Sequence, residues 1–247
     1  MTAPLKIRCG WKAVHLITLS TLLGLGGCRD QNADMYDSTI LVVTDFAKGA
    51  DSWKADYSDY QLNEADSIHF VSGIRSLPMP LDTSRKAFLV GSTNASDDLF
   101  MFLKRKLSGL RPTTNYQIVY ELELASKYPA QSVGIGGSPG LALHLKVGAS
   151  AVEPVKVEKN QGYYLNLDKG DQATGGKDVI LIGDASNDNT DDRYRLVRRF
   201  SNGKNLMAQT DKNGDLWLVV GTDSGYEGRT DLYYSRILVS LRPIVPQ

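Results

Sequence analysis

The sequence predicts an all-β fold, an antiparallel sandwich of two sheets, from three observations. Short apolar runs recur along the chain and are separated by Gly, Pro, Asn and Asp. In the clearest run, every second position is apolar or aromatic, which is the period of a strand with one buried face; these positions are Tyr116, Ile118, Tyr120, Leu122 and Leu124. No segment after residue 27 has a convincing 3.6-residue apolar period, so we expect few and short helices.

Eleven runs are predicted to form strands. In chain order they are STILVVTDF, SIHFVSG, KAFLVGS, DLFMFLKRKLSGL, TNYQIVYELELAS, LALHLKVGAS, GYYLNL, KDVILIGD, RYRLVRRF, LWLVVGTD and LYYSRILVSL. Asn213 and Gly214 lie between two strand-like runs, and Asn-Gly readily supplies the positive φ angles of a type I′ hairpin turn. We therefore expect a hairpin at that point.

The first 27 residues predict an exported protein. Three positive residues, Lys6, Arg8 and Lys12, come before or beside the apolar run AVHLITLSTLLGLGG. That run is too short to cross a bilayer, because a spanning helix needs about 20 apolar residues. The polar segment RDQNAD follows Cys28 immediately, and we expect it to form part of a flexible tether.

The residues Leu25, Gly26, Gly27 and Cys28 resemble the bacterial lipobox. The resemblance implies cleavage between Gly27 and Cys28 and attachment of diacylglycerol and a further acyl chain, such as palmitate, to Cys28. Two or more acyl chains make membrane attachment durable. The alternatives are a plain secretory signal with a coincidental cysteine and an uncleaved anchor. Arg29 stands where an aspartate would resemble an inner-membrane retention signal, so we expect the outer membrane if the host has two membranes.

These observations divide the chain into three parts. Residues 1–27 are predicted to be the signal peptide, residues 28–38 a lipidated polar linker, and residues 39–247 a single β-sandwich domain in the cell envelope. Cys9 lies in the cleaved part and Cys28 carries lipid, so no disulfide is expected. After residue 27 there are 28 acidic and 25 basic residues, with no long basic stripe, which argues against a nucleic-acid partner.

Two segments resemble carbohydrate-binding modules of the galactose-binding-like, jelly-roll kind. They are DFAKGADSWKADYSDY near the start of the domain and LYYSRILVSL at its end. In addition, the spacing of Gly, Pro and Tyr in SGLRPTTNY is similar to that in secreted β-sandwich modules. The resemblance implies a jelly-roll fold and a glycan-binding role. It also implies a packing role for Trp53, and Trp217 in LWLVVG is expected in the core as well.

The segment GGSPG, Gly136 to Gly140, has the spacing of a hydrolase nucleophile elbow but does not fit one. The residue after the serine is Pro139, which has no N–H to donate to an oxyanion, and a strand-like run follows where the elbow needs a helix. We expect a glycine-rich loop instead. Its glycines allow close approach of a neighbouring loop or a ligand.

The remaining acid–base groups favour a noncatalytic protein, although they do not exclude an enzyme. After residue 27 only His69 and His144 remain, and both fall on polar faces of predicted strands, where we expect solvated or hydrogen-bonded side chains. Paired carboxylates would suffice for a glycoside hydrolase, but no pair stands out. No catalytic residue is therefore assigned.

Two acidic loops raise the possibility of a structural calcium ion. The first contains Asp184, Asp188, Asp191 and Asp192, and the second, DKNGD, has acidic or amide side chains at alternate positions from Asp211 to Asp215. The second lacks the glycine placement and closing glutamate of a helical calcium hand. No cofactor is assigned, and the alternative for each loop is a solvated acidic turn.

Two groups of residues are candidates for ligand binding because they combine aromatic rings with charged groups, as sugar sites do. One lies in GTDSGYEGRTD and comprises Asp223, Tyr226, Glu227, Arg229 and Asp231; the other comprises Tyr57 and Tyr60. The alternative for the first is an internal ion pair of Arg229 with Asp223 or Glu227.

The sequence therefore favours a membrane-anchored, noncatalytic protein of the cell envelope that binds a glycan or another surface ligand. The alternatives are a structural or assembly component that binds an envelope protein, and a hydrolase of envelope polysaccharide.

Overall fold

The computed structural model describes residues 38–95 and 98–244. Within these ranges the chain forms three antiparallel sheets, and its only helices are two short 3-10 helices at Phe46–Lys48 and Leu62–Ser67. The strands are β1 (Ile40–Asp45), β2 (Lys54–Ser58), β3 (Tyr60–Gln61), β4 (Val71–Ser76), β5 (Lys86–Asn94), β6 (Leu99–Leu107), β7 (Asn115–Ser126), β8 (Leu143–Ser150), β9 (Lys156–Lys159), β10 (Gly162–Leu165), β11 (Val179–Asp184), β12 (Arg195–Phe200), β13 (Met207–Gln209), β14 (Leu216–Ser224) and β15 (Gly228–Pro243). The predicted all-β sandwich is confirmed.

Two of the sheets form a jelly-roll-like sandwich. The seven-stranded sheet has the order β12-β7-β15-β5-β4, with β1 also paired to β15 and β13 to β7; the five-stranded sheet has the order β11-β8-β14-β6-β2. The pairs β5/β6, β7/β8, β11/β12 and β14/β15 are consecutive along the chain, and their members occupy matching positions in the two orders. The chain therefore crosses repeatedly from one sheet to the other.

The core lies between these two sheets and follows the predicted alternation. The five apolar positions of β7 that have a period of two are all buried. Trp53 is also buried, as expected, and its Nε1 donates a hydrogen bond of 3.0 Å to Thr44 Oγ1. Trp217 departs from the prediction: it is half-buried, with Lys104 Nζ 6.0 Å from its ring centroid. It belongs to the outer face of β14, whose buried neighbours Leu216 and Leu218 fill the core.

A third layer covers the outer face of the five-stranded sheet, and the sequence did not predict it. It contains the small sheet β3-β10-β9 and the chain that leads from β10 to β11. Its apolar side chains pack on the outward-facing side chains of β6 and β14 in a second buried cluster, which comprises Phe100, Phe102, Leu165, Leu167, Val179 and Val219. An outer sheet face that looked solvated in the sequence is therefore partly enclosed.

The predicted type I′ hairpin at Asn213-Gly214 is wrong. Only Gly214 of the two residues has a positive φ, 78°. The flanking strands β13 and β14 pair in different sheets, so they form no hairpin with each other. The Asp211 side chain shapes the turn instead, because its Oδ1 accepts hydrogen bonds of 2.8 Å from the N–H groups of both Asn213 and Asp215.

Gly27, Cys28 and the predicted signal peptide lie outside the described residues. Among the residues that are described, no helix has both the length and the apolar character needed to cross a membrane.

Candidate functional site

An open cavity of about 750 Å³ lies where the covering layer meets the five-stranded sheet. Its lining residues are Asp59, Asp98, Leu165, Leu167, Asp168, Lys169, Gly170, Asp171 and Gln172. Most of them come from the end of β10 and the segment that follows it, where Leu165 and Leu167 are anchored in the apolar cluster on the sheet. The alternation of apolar anchors with polar residues thus fixes one wall of the cavity.

Three carboxylates lie close to the Lys169 ammonium at this wall. Its Nζ lies 2.8 Å from Asp223 Oδ2, 3.5 Å from Asp59 Oδ1 and 3.8 Å from Asp98 Oδ1. The Asp59 carboxylate is itself positioned by the Ser58 hydroxyl, which donates a hydrogen bond of 2.6 Å to Oδ2. Asp98 stands at the rim, where about half of its side chain, 52%, is exposed.

Lys146 lies beneath the wall and ties it to the sheet. Its Nζ donates to Asp223 Oδ2 at 2.8 Å, to the Lys169 carbonyl at 3.1 Å and to the Asp171 carbonyl at 2.7 Å. The side chains of Lys146 and Asp223 are completely buried. An ammonium has three donors. All three donors of Lys146 therefore hold either its counterion Asp223 or the segment between β10 and β11, residues 166–178, which we call the covering segment.

The electrostatics of this cluster are set by burial and by opposite charge. Burial lowers the pKa of Lys146 below its usual value, and Asp223 opposes that shift only in part. Burial acts on Lys169 in the same direction, but the carboxylates of Asp223 and Asp59 outweigh it and raise its pKa. Burial also raises the pKa of Asp59, against the opposing effect of Lys169. Lys169 is therefore the firmly charged centre of the cluster.

The cavity suits a polar ligand that makes directional hydrogen bonds. Carboxylates at the wall accept hydrogen bonds, Lys169 donates them, and the leucines supply a limited apolar surface. Asp223 Oδ1 is buried and has no hydrogen-bond partner among residues 38–95 and 98–244. The wall is built on fixed ion pairs, so a ligand meets groups that are already oriented.

The first predicted ligand group is not brought together as one site. Asp223 lies on β14 in the buried cluster. Tyr226 is half-buried, and its ring lies against the backbone of Gly134 and Gly228, where an added Cβ would come within 2.5 Å and 2.4 Å of Tyr226 atoms. The predicted glycine-rich loop therefore packs closely against a neighbouring loop. Close approach of a neighbouring loop or of a ligand was the role expected for its glycines.

Arg229 and Asp231 form a pair of their own at the start of β15. Arg229 Nη2 lies 2.6 Å from Asp231 Oδ1, and Arg229 Nη1 donates a hydrogen bond of 2.8 Å to the His69 carbonyl. The alternative of an internal ion pair is thus correct in kind but wrong in partner, since neither Asp223 nor Glu227 pairs with Arg229 in the described structure. A ligand role for Tyr226, Glu227, Arg229 and Asp231 stays a prediction.

Tyr57 and Tyr60, the second predicted group, lie in an aromatic cluster beside the core. The ring centroids of Tyr57 and Tyr60 are 5.2 Å apart, and Tyr60 is buried. Tyr57 also contacts Phe70, with a centroid distance of 4.7 Å. Lys156 Nζ covers the Tyr57 ring at 3.8 Å from its centroid, so an internal cation occupies a position that a sugar would need. Their role in ligand binding also stays a prediction.

Most of the residues around the cavity were not predicted from the sequence. Asp223 is the one charged residue of the cluster that was a candidate ligand residue; Asp59, Asp98, Lys146 and Lys169 were not. The segment DKGDQATGG, rich in Asp and Gly, was the available signal for a shaped loop at this place.

The GGSPG segment lies in the loop between β7 and β8, as expected, and leads towards a strand. Ser138 has a local structural role: its Oγ accepts hydrogen bonds from the N–H groups of Gly140 and Leu141 and donates one of 3.0 Å to the Ala130 carbonyl. His69 is exposed but lies before β4, so its predicted place on a strand is wrong. His144 lies on β8 as predicted and is half-buried, and burial lowers its pKa.

The acidic loops are held by internal contacts. Asp184 lies 3.3 Å from Arg199 and Asp191 lies 3.3 Å from Arg195. Among the described residues, no group of three or more His, Cys, Asp or Glu side chains is arranged to hold a metal ion. A structural calcium ion stays a prediction.

No protein-family profile matches the chain, and no curated protein matches it. Solved structures with a similar architecture include carbohydrate-binding modules from the β-sandwich superfamily, with a TM-score of 0.35 and 6% identity over 81% of this chain and 60% of that chain. This chain thus spans less than two thirds of that protein. A second is a sugar-binding protein from Bacteroides thetaiotaomicron described as putative, with a TM-score of 0.36 and 15% identity over 77% of this chain and 88% of that chain. A third is the K3 adhesin domain of Lys-gingipain from Porphyromonas gingivalis, with a TM-score of 0.38 and 11% identity over 82% of this chain and 99% of that chain. These values are too low to assign the chain to any of these groups.

Proposed function

We propose that this protein is a noncatalytic glycan-binding module that is held at the bacterial cell envelope by acylation of Cys28. The observation that carries the proposal is the open cavity over the five-stranded sheet, with Asp59, Asp98 and Lys169 at its wall. Glycans present many hydroxyl groups, and each hydroxyl both donates and accepts hydrogen bonds. Carboxylates beside an ammonium meet both needs.

The fixed wall supports binding more than catalysis. Lys146 holds the carbonyls of Lys169 and Asp171 from below, so the wall does not have to be ordered when a ligand arrives. The two carboxylates nearest to Lys169, those of Asp223 and Asp59, form ion pairs with it, and Asp223 is completely buried. A carboxylate in that position has no access to a glycosidic bond.

Attachment through Cys28 is the second half of the proposal. Acyl chains at Cys28 would keep the cavity close to envelope polymers, in the outer membrane if the host has two membranes. The support for this half is the lipobox resemblance in the sequence.

The binding experiment uses the full chain, purified in detergent, on a glycan array, followed by calorimetric titration of any glycan retained. Asp98→Ala changes an exposed rim carboxylate and should weaken binding about tenfold, as expected for one hydrogen bond to a charged group. Asp192→Ala, an exposed carboxylate in the loop before β12, is the matched control and should bind as the original chain does.

Three outcomes would count against this proposal. Absence of retention on every glycan would contradict it, as would equal losses for the two variants. Release of reducing sugars from envelope polysaccharide, abolished in Asp59→Asn, would instead identify a hydrolase.

A specific observation supports a second candidate, an assembly protein that binds another envelope protein. Three apolar side chains of the loop between β7 and β8 are exposed, namely Val133, Ile135 and Leu141, and Val133 is 95% exposed. A photo-crosslinking residue at position 133 in intact cells should capture one dominant protein partner if this candidate is correct. The same residue at position 192 is the control.

A further inference from the structure

The outer face of the seven-stranded sheet carries an apolar surface. Antiparallel partners lie on the same face of a sheet, and the register places Val43 opposite Leu238, Leu238 opposite Glu121, and Glu121 opposite Phe200. The neighbouring residues Val239 and Leu122 are buried in the core, so this row points outwards.

The apolar surface continues along the sheet. Leu41 lies opposite Ser240, Met207 lies opposite Gln117, and Ile244 donates a backbone hydrogen bond to Asn115 beyond the inward-facing Tyr116. Apart from half-buried Leu238, the members are between 41% and 64% exposed. The apolar surface comprises Leu41, Val43, Phe200, Met207, Leu238 and Ile244.

The charges that border the apolar surface are mostly exposed arginines. Arg236 and Arg242 on β15 are exposed and alternate with its buried residues. Arg198 on β12 is 60% exposed and pairs with the more buried Glu123. The acidic side chains on this face, including Glu121, are only half-exposed. Exposed guanidinium groups beside apolar side chains fit the anionic headgroups and acyl boundary of a phospholipid bilayer.

The position of this face relative to Cys28 points to the same partner. β1 contributes Leu41 and Val43 to the apolar surface and begins at Ile40. Only eleven residues separate Cys28 from Ile40, and they span at most about 40 Å even when fully extended. A lipid on Cys28 would therefore keep this face within reach of the bilayer.

We propose that the apolar surface lies directly on an anionic phospholipid bilayer, an inference that rests on the proposed acylation of Cys28. The apolar side chains enter the boundary between headgroups and acyl chains, and Arg236, Arg242 and Arg198 contact lipid phosphates. The cavity lies over the outer face of the opposite sheet. The bilayer contact therefore directs the cavity away from the membrane, towards polymers outside it.

The test measures which face of the acylated full chain contacts lipid. Residues after 27 contain no cysteine other than Cys28, so a single introduced cysteine carries an environment-sensitive fluorophore. Val43→Cys probes the apolar surface, and Glu153→Cys, in the loop that leads from β8 to β9, is the matched control with an exposed side chain. Both proteins are reconstituted into vesicles of phosphatidylcholine with and without phosphatidylglycerol, and lipid-borne quenchers report contact.

We expect strong quenching at position 43, greater with phosphatidylglycerol, and little at position 153. Arg236→Gln and Arg242→Gln should each lower the ratio of docked to undocked protein about fivefold, since one arginine near an anionic surface contributes about that factor. Lys159→Gln, on exposed β9, should leave the ratio unchanged.

Equal quenching at the two positions, or none at position 43 in protein that remains bound to vesicles, would overturn the docking proposal and leave the acyl anchor intact. Crosslinked dimers in which the fluorophore at position 43 is shielded from quenching on neutral vesicles would also overturn it. In that case a second copy of the chain, and not the bilayer, would cover the apolar surface. Protein whose Cys28 carries no acyl group by mass spectrometry and that does not bind vesicles would overturn the anchor as well. Glycan retention is measured separately.

Discussion

Lys146 Nζ lies 2.8 Å from Asp223 Oδ2, and both side chains are completely shielded from solvent. Strand pairing explains the contact, because β8 and β14 are neighbours and Lys146 lies opposite Gly221, two positions from Asp223 on the same face. The covering segment then closes over both residues. This buried pair joins the sheet to the wall of the candidate site.

Replacing Lys146 should destabilise the protein strongly. Lys146→Met leaves the carbonyls of Lys169 and Asp171 without their ammonium donor, and it removes one of the two ammonium groups that hold the buried Asp223 carboxylate. We expect the free energy of unfolding to fall by about 3 to 5 kcal/mol, the usual cost of removing one partner of a buried ion pair. Urea denaturation followed by circular dichroism measures the change.

Lys106→Met is the matched control for Lys146→Met. Lys106 also lies on the five-stranded sheet and pairs with a carboxylate, Asp215 at 2.7 Å, but at the surface. Its replacement should change stability little. Similar losses for the two variants would show that burial of the pair at Lys146 is not what matters.

Asp59 should make the protein less stable as the pH rises. Burial, partly opposed by Lys169, raises the pKa of Asp59 in the folded state above the ordinary value of 3.8. Between these two pKa values the folded state binds more protons than the unfolded state, so the free energy of unfolding falls as the pH rises through that window. In Asp59→Asn this component should disappear. Urea denaturation at a series of pH values measures it.

Glu123 provides a control of opposite sign for that series. Burial alone would raise its pKa, but hydrogen bonds from Ser235 and Arg198 outweigh burial and lower it below 4.5. Its stabilisation is therefore present above pH 4.5 and is lost as the pH falls through the folded pKa. Glu123→Gln should flatten the curve on the acidic side. An unchanged curve for Asp59→Asn would contradict the shift inferred for Asp59.

Gly134 should not tolerate a side chain while Tyr226 is present. A Cβ at Gly134 would lie 2.5 Å from Tyr226 Cε2, so one of the two loops must move. Gly134→Ala should lower the free energy of unfolding by about 1 to 3 kcal/mol, as overpacking usually does. Thermal or urea denaturation measures this loss.

A double variant tests whether Tyr226 is the cause. Adding Tyr226→Ala removes the clashing ring and leaves the Gly137 carbonyl, 2.9 Å from the added Cβ, so the cost of Gly134→Ala should be smaller in that background. If the two losses simply add, the close approach of the ring is not what constrains Gly134.

Cys28 should carry the acyl chains. Cells grown with labelled palmitate should yield labelled protein, and Cys28→Ser should abolish the label and leave the uncleaved precursor. Cys9→Ser, in the predicted signal peptide, is the matched control and should be labelled and processed normally. Label that survives in Cys28→Ser would rule out the lipobox interpretation.

The sequence alone determined the strands and the residues that share a face. All eleven predicted runs overlap a strand of the described structure, because alternation of apolar and polar residues is a local property. Four strands, β2, β3, β9 and β13, were not predicted from the sequence, because they are short or carry few apolar residues.

Only the tertiary structure decided what covers each face. The alternation in β8 correctly places His144 and Lys146 away from the core, and such a face is usually solvated. The covering layer instead buries Lys146 beside Asp223, and the covering segment brings Lys169 to the same carboxylate from 54 residues away. Local periodicity fixes the direction of a side chain relative to its own strand. The partner that it meets depends on chain segments that are distant in sequence, so the candidate site emerged only from the fold.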